Sequence, residues 1–263
     1  MTPKELAISS ATEAGKILKD QIGKIQSEHV VNKRPFDYVT AIDQQCEALI
    51  IQNIKKYFPA HEILAEESGK SKHQNSYCWI IDPLDGTTNF IHGVPHCAVS
   101  IALGKDNDII LGVIYDPFRD ELFYAEQGKG AFCNHKPINV SNQKNENHCL
   151  VSTGFPFKNK ELLNQYWSVL SEIFLKISGI RRTGSAALDL AYVACGRFDG
   201  FWEIRLSPWD VAAGSIIVLE AGGKITDFEE TNNHVWNGNV IATNALIHDF
   251  ILRTVQKTFP KNP

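Results

Sequence analysis

Two carboxylates three residues apart, Asp82 and Asp85, sit where an apolar run gives way to a turn: Trp79-Ile80-Ile81-Asp82-Pro83-Leu84-Asp85-Gly86-Thr87-Thr88-Asn89-Phe90. Pro83 disfavours helix at the residue before it, so Asp82 is expected at the extended C-terminal end of a strand, its carboxylate pointing outward. Gly86 permits a tight turn, and Thr87 or Thr88 can cap a helical turn that begins there. Two acids across such a turn can hold one hard cation, while successive backbone N–H groups from Gly86 onward face an anion. A metal ion and a phosphate group could meet at this loop. In isolation the segment also reads as an Asp-Pro and Asp-Gly turn with ordinary capping. No lysine or arginine lies between Lys72 and Lys105, however, and a metal is the obvious counter-charge.

Further acids lie at element ends. Glu66 and Glu67, in Ala65-Glu66-Glu67-Ser68, follow a short apolar run at the end where sheets commonly present functional groups. As a pair they fit solvated surface acids equally well. Asp210, in Pro208-Trp209-Asp210-Val211-Ala212-Ala213-Gly214, opens an apolar helix. It is either a ligand or a plain N-terminal charge favoured by the helix dipole.

The elements that must position these residues follow from periodicity. Residues 4 to 26 carry apolar side chains near the helical period, and a second helix is expected from Ala41 to Tyr57 with Thr40 as its N-cap. Strands are predicted at Glu62 to Ala65, Tyr77 to Ile81, Cys97 to Leu103, Ile109 to Tyr115 and Glu121 to Ala125. Later come a short run at Cys149 to Ser152 and helices at Lys160 to Phe174 and Ser185 to Cys195. A strand at Phe198 to Trp202 and a helix at Val211 to Glu220 complete the series. This order fits an α/β fold of the α+β type, layers sharing one core, better than two independent domains. The expectation is a single domain over 1–263 with approximate halves 1–145 and 146–263, the polar stretch Ser141 to His148 joining them.

Composition narrows the class of function. The 263 residues are 43% hydrophobic, with a net charge of -4 and mixed charge signs, which lacks the basic footprint of a nucleic-acid-binding domain. No run reaches the roughly 18 apolar residues of a membrane span, and the first thirty residues lack a secretory pattern, so a cytoplasmic location is expected. The six cysteines are scattered without a Cys-x-x-Cys pair and read as reduced core residues. His92 and His96 have a zinc-like gap, but no second ligand pair accompanies them.

Taken together, Glu66-Glu67, Trp79 to Phe90 and Trp209 to Gly223 resemble the signature regions of the inositol monophosphatase family. The resemblance extends through Gly93-Val94-Pro95, Val113-Ile114-Tyr115-Asp116-Pro117, Gly128-Lys129-Gly130-Ala131-Phe132 and Gly184-Ser185-Ala186-Ala187, nearly the whole chain. Arg181-Arg182-Thr183-Gly184-Ser185-Ala186-Ala187-Leu188-Asp189-Leu190 resembles the bacterial, extragenic-suppressor-like branch. The resemblance implies a layered α-β-α-β-α sandwich of the inositol monophosphatase and fructose-1,6-bisphosphatase type, homodimeric and lithium-sensitive, using two to three Mg²⁺ ions. Glu66, Asp82 and the Leu84 carbonyl would hold one ion, Asp82, Asp85 and Asp210 a second, and Glu67 would reach a third through water. Gly86 and Thr87 would offer backbone amides to phosphate. Glu66 and Thr87, with Asp43 behind Thr87, would orient the attacking water. Asp85, Ser185, the Ala186 backbone, Glu203 and Asp210 would grip the alcohol.

The implied reaction is hydrolysis of myo-inositol monophosphate. The same chemistry on fructose 1,6-bisphosphate, histidinol phosphate or a nucleotide 3'-phosphate is the alternative. Asn89-Phe90 after two threonines resembles the inositol phosphatases more than the nucleotide branch, where a lysine commonly follows the first threonine. Some proteins of the bacterial branch are associated with transcription. A regulatory role with transcription machinery or nucleic acid therefore stays open, although composition does not indicate it.

Overall fold

The computed structural model describes residues 1–24, 30–34, 37–70, 76–106 and 108–259. Helix α1 (Pro3–Gln21) begins at a capping box in which Thr2 and Glu5 bond each other's backbone N–H, with Pro3 in the first turn. It ends at Gln21, short of the expected 26; residues 25 and 26 lie outside the described residues. Strands β1 (Val30–Arg34) and β2 (Asp37–Thr40) form an antiparallel pair that leads into α2 (Ala41–Tyr57). Thr40 caps α2 as read from the sequence.

Next come β3 (Glu62–Ala65), β4 (Gly69–Lys70), β5 (Tyr77–Asp85), the short helix α3 (Thr87–Ile91), β6 (Ala98–Lys105), β7 (Asp108–Asp116), β8 (Glu121–Glu126), β9 (Ala131–Cys133) and β10 (Lys136–Ile138). They build an eight-stranded sheet in the order β10-β9-β8-β7-β6-β5-β3-β4, parallel only between β3 and β5. The strand expected to end at Asp82 continues to Asp85. It does so through a bulge, since Asp82 pairs with Ser100 and Asp85 with Ala98. Pro83, which has no N–H for the ladder, sits in that bulge.

The second half contains β11 (Leu150–Thr153), α4 (Leu163–Phe174), β12 (Gly179–Arg181), α5 (Ala186–Ala194), β13 (Gly200–Glu203), α6 (Pro208–Glu220), β14 (Lys224–Thr226), α7 (His234–Asn237), β15 (Val240–Thr243) and α8 (His248–Thr258). The five strands order as β12-β11-β13-β15-β14. The helix expected from Lys160 opens as a 3₁₀ turn before α4, and the one expected from Val211 starts earlier, at Pro208. The stretch from Ser141 to His148 is the passage between the sheets, with a 3₁₀ turn at Glu146–His148.

Three cores hold together five layers in the α-β-α-β-α order, the central one filling both interfaces of α5 and α6 with the two sheets. Alternation along β5 sends Trp79 and Ile81 against α1 and α2, and Ile80 to the opposite face against α5 and α6. On β13, Phe201 faces the same central helices, while Trp202 packs with Tyr166, Ile173 and Val255 of α4 and α8. Helix α5 is buried at every residue, as expected for a helix apolar all round and covered by sheets on two sides. All six cysteines are free thiols. Burial pushes Cys46 and Cys149 up to about 12, which leaves both inert as nucleophiles. Among the described residues, no helix is long and apolar enough to cross a membrane.

Candidate active site

The carboxylate oxygens of Asp82, Asp85 and Asp210 lie within 4.8 Å of one another, one from each. They line a cavity of about 580 Å³ together with Glu66, Leu84, Thr87 and Glu203. Asp82 and Asp85 come from the bulged end of β5, and Asp210 from the first turn of α6, so the bulge is what brings two acids of one strand to the same side.

Helix starts hold these acids. Asp43, third residue of α2, accepts from Thr40 N (2.9 Å) and Thr40 Oγ1 (2.5 Å) through Oδ2, leaving Oδ1 to accept from Thr87 Oγ1 at 3.3 Å. Asp210, third residue of α6, accepts from Ser207 N at 2.7 Å through Oδ2. Asp85 Oδ2 accepts from Ser185 Oγ at 2.5 Å and from Ala187 N at 2.7 Å, so this carboxylate closes the start of α5. The capping reading of Asp210 and its place in the acid cluster therefore hold together. Three helix N-termini, with their partial positive charge, converge on the acids.

That polarity does not neutralise them. Burial, then the charges of Glu66, Asp85 and Asp210, holds Asp82 well above the usual carboxylate range. Burial lifts Asp210 to about 8, aided by Asp85 and Glu66, and lifts Asp85 to about 6 against the hydrogen bonds from Ser185 and Ala187. Crowded acids without a cation resist ionisation. The donor set is all oxygen and acidic, Asp82 and Asp85 buried and Asp210 half-buried, and so fits a hard divalent cation such as Mg²⁺, which favours carboxylates together with water and phosphate oxygens.

The other sequence-predicted residues fall as follows. Glu66 lies in the turn after β3, its N–H donating to Ile81 O at 3.2 Å, and it lines the cavity. The Leu84 carbonyl accepts from Thr87 Oγ1 at 3.1 Å. Gly86 takes φ 95°, and α3 begins there without the side-chain cap expected from Thr87 or Thr88, because the Thr87 hydroxyl turns to Leu84 and Asp43 instead. Ser185 and the start of α5 are bonded to Asp85. Glu67 stands apart, lining a separate groove with Gln44 and Glu47, where its N–H donates to Glu47 Oε2 at 2.8 Å.

Other residues of the site lie outside the predicted set, although Arg181-Arg182 reads in the sequence as a contact for an anion or a partner, or as surface or interface ion pairing. Lys158 and Arg182 line the same cavity, supplying cations from distant segments to a loop that has none nearby in sequence. The Arg182 guanidinium stacks on Phe155 and Phe157, 5.6 and 5.2 Å from their ring centres. Asp189, buried in α5, accepts from Thr183 Oγ1 at 2.7 Å and pushes the neighbouring Glu203 further up than burial alone does. His96 lies 3.4 Å from Arg119, and no histidine joins the acid cluster among the described residues.

Known proteins resemble this chain in sequence and fold. The sequence matches the inositol monophosphatase family over residues 3–258. It is 41% identical over 251 residues to an inositol-1-monophosphatase of Mesorhizobium japonicum, covering 95% of this chain and 94% of that protein. It is also 41% identical to the Nus factor SuhB of Pseudomonas aeruginosa over 260 residues, covering 97% and 96%. The crystal structure of the extragenic suppressor protein SuhB from Bartonella henselae superposes with a TM-score of 0.92 at 43% identity, covering 96% of this chain and 98% of that one. Match, identity and fold agree along the full length: this chain belongs to the inositol monophosphatase family.

Proposed function

We propose that the chain hydrolyses the phosphate monoester of a small polyhydroxylated alcohol, myo-inositol monophosphate, in a Mg²⁺-dependent reaction. The observation that carries the reading is the convergence of Asp82, Asp85 and Asp210 on a cavity large enough for such a substrate. Glu66, Asp82 and the Leu84 carbonyl would hold one ion, and Asp82, Asp85 and Asp210 a second. Bound Mg²⁺ supplies the positive charge that reverses the field of the acids toward an anionic substrate.

The chain's own groups do the rest. With its single proton shared between Leu84 O and Asp43 Oδ1, Thr87 Oγ1 keeps lone pairs free to accept from a water, and Glu66 accepts that water's other proton. Attack then runs in line with the ester oxygen, whose bond to phosphorus breaks as it takes up a proton from water to leave as the alcohol, balancing the proton given to Glu66. Gly86 and Thr87 offer backbone N–H groups to the phosphate. Glu203, at the end of β13, bonds a substrate hydroxyl, whereas Ser185 acts by holding Asp85. The chain works as one phosphatase domain, a reading supported by α5 and α6 packing against both sheets. By family resemblance its working form is a cytoplasmic homodimer.

Phosphate release from inositol, fructose, histidinol and nucleotide phosphates, with and without Mg²⁺, tests the reading. Mg²⁺-dependent release, greatest for inositol monophosphate and inhibited by Li⁺, is expected. No Mg²⁺-dependent release from any of them would overturn it.

A second role, contact with transcription machinery, is supported by the Nus factor name of the P. aeruginosa relative. Retention of a purified bacterial RNA polymerase and Nus factor mixture on the immobilised Asp82→Asn chain would separate this role from catalysis. An absence of retention would remove it.

A further inference from the structure

Resting on the metal-dependent reading above, we infer that Asn89 is a positioning residue for Asp85, acting through the turn that carries Ser185. Asn89 lies on α3, just after the metal loop. Its side-chain amide donates both hydrogens to backbone carbonyls of other segments, His96 O at 2.8 Å and Thr183 O at 2.9 Å. A carboxylate or a hydrocarbon of the same size could make neither bond.

The turn that Asn89 grips is built around it. Gly184 takes φ 95°, and a Cβ there would come within 2.9 Å of Asn89 Nδ2. On the opposite side, a Cβ on Gly86 would stand 3.2 Å from Gly184 O and 3.1 Å from His96 O, so the metal loop and this turn touch backbone to backbone. One residue beyond Gly184, Ser185 donates to Asp85 Oδ2, and Ala187 N donates to the same oxygen. Thr183 is bonded twice, by its carbonyl to Asn89 and by its hydroxyl to Asp189. Asn89 thus fixes the register of residues 183–187 against the loop that bears Asp82 and Asp85. Groups that orient metal ligands from behind commonly carry a 10–100-fold share of metal affinity.

The test uses the full chain with Asn89→Ala, Asn89→Leu (which keeps the volume and removes both donors), Ser185→Ala and the Asn89→Ala/Ser185→Ala double variant. Mg²⁺ affinity is measured by calorimetry, and amide exchange of residues 183–188 is measured on metal-free protein. Each single variant is expected to weaken Mg²⁺ binding about tenfold. The Asn89 variants should also speed exchange at Ala187 and Leu188, and the double variant should be no worse than the worse single one, since both act along one path. A merely structural role would lower the melting midpoint and leave the Mg²⁺ affinity of the folded protein unchanged, which overturns the inference. Additive losses in the double variant overturn it too. If the parent chain binds no Mg²⁺, the phosphatase reading fails, and the exchange arm still decides whether Asn89 holds the start of α5 on Asp85.

Discussion

The carboxylate of Glu203 occupies the space that a side chain at position 154 would need: a Cβ built on Gly154 falls 1.9 Å from Oε1 of Glu203 and 2.0 Å from its Cδ. Gly154 follows β11, Glu203 ends β13, and the two strands lie side by side. Gly154→Ala must therefore move Glu203. If Glu203 bonds a substrate hydroxyl, the variant raises KM for the sugar alcohol phosphate about tenfold, the worth of roughly one hydrogen bond, with a smaller change in kcat. Steady-state kinetics at saturating Mg²⁺ checks this. An unchanged KM would mean that Glu203 does not touch the substrate.

The metal site and the fold make opposite demands on the acids. Asp82 is buried among Glu66, Asp85 and Asp210, and removing its charge relieves like-charge crowding. Asp82→Asn and Asp210→Asn are thus expected to abolish Mg²⁺-dependent phosphate release while melting, in chelator, at or above the parent's temperature. An asparagine at 210 can still accept from Ser207 N, so the start of α6 survives. Turnover that persisted in either variant would remove these residues from the catalytic assignment.

Glu66 is proposed to orient the attacking water more than to bind the substrate. Glu66→Gln is accordingly expected to lower kcat by about 10²-fold or more, the usual range for a lost general base, while KM changes only a few-fold. Equal losses in both constants would argue that Glu66 serves mainly as a metal ligand.

The layers were legible in the sequence because alternating strands and helix-period stripes announce which faces are buried, as Trp79, Ile80 and Ile81 do on β5. The loop at Asp82 was legible because Pro83 and Gly86 restrict the backbone on their own. What escaped depends on distances between remote segments. Ser185 is expected as a substrate contact, and the hydrogen bond of its hydroxyl to Asp85 becomes visible only once β5 and α5 are brought together. Lys158 and Arg182 reach the cavity only through the fold, and Gly154 looks like any loop glycine until Glu203 is beside it. Beyond Glu220 the sequence reading names no element, and the structure adds β14, α7, β15 and α8 there.

Stability should fall in mild acid for a reason unconnected with the metal. Burial pushes His96, His234 and His248 down to about 4, and His248 is fixed between the Thr226 and Thr243 hydroxyls at 3.0 and 3.1 Å. The unfolded chain binds protons at these sites near pH 6.5, the folded chain only near 4, so the unfolded state holds more protons between those values. Stability contributed by each histidine is full above about pH 6.5 and is lost as pH falls toward 4, amounting to about 2 kcal/mol for one group between pH 7 and pH 5. Lys224, which adds to the depression, and Asp249 and Glu230, which oppose it, are the charged groups around His248. His248→Gln can keep a hydrogen bond to a threonine hydroxyl but takes up no proton. It should lower stability at pH 7 and flatten the decline toward pH 5 by about that amount. Urea denaturation of both proteins at pH 7 and pH 5 measures the difference, and parallel declines would show that His248 is not buried neutral.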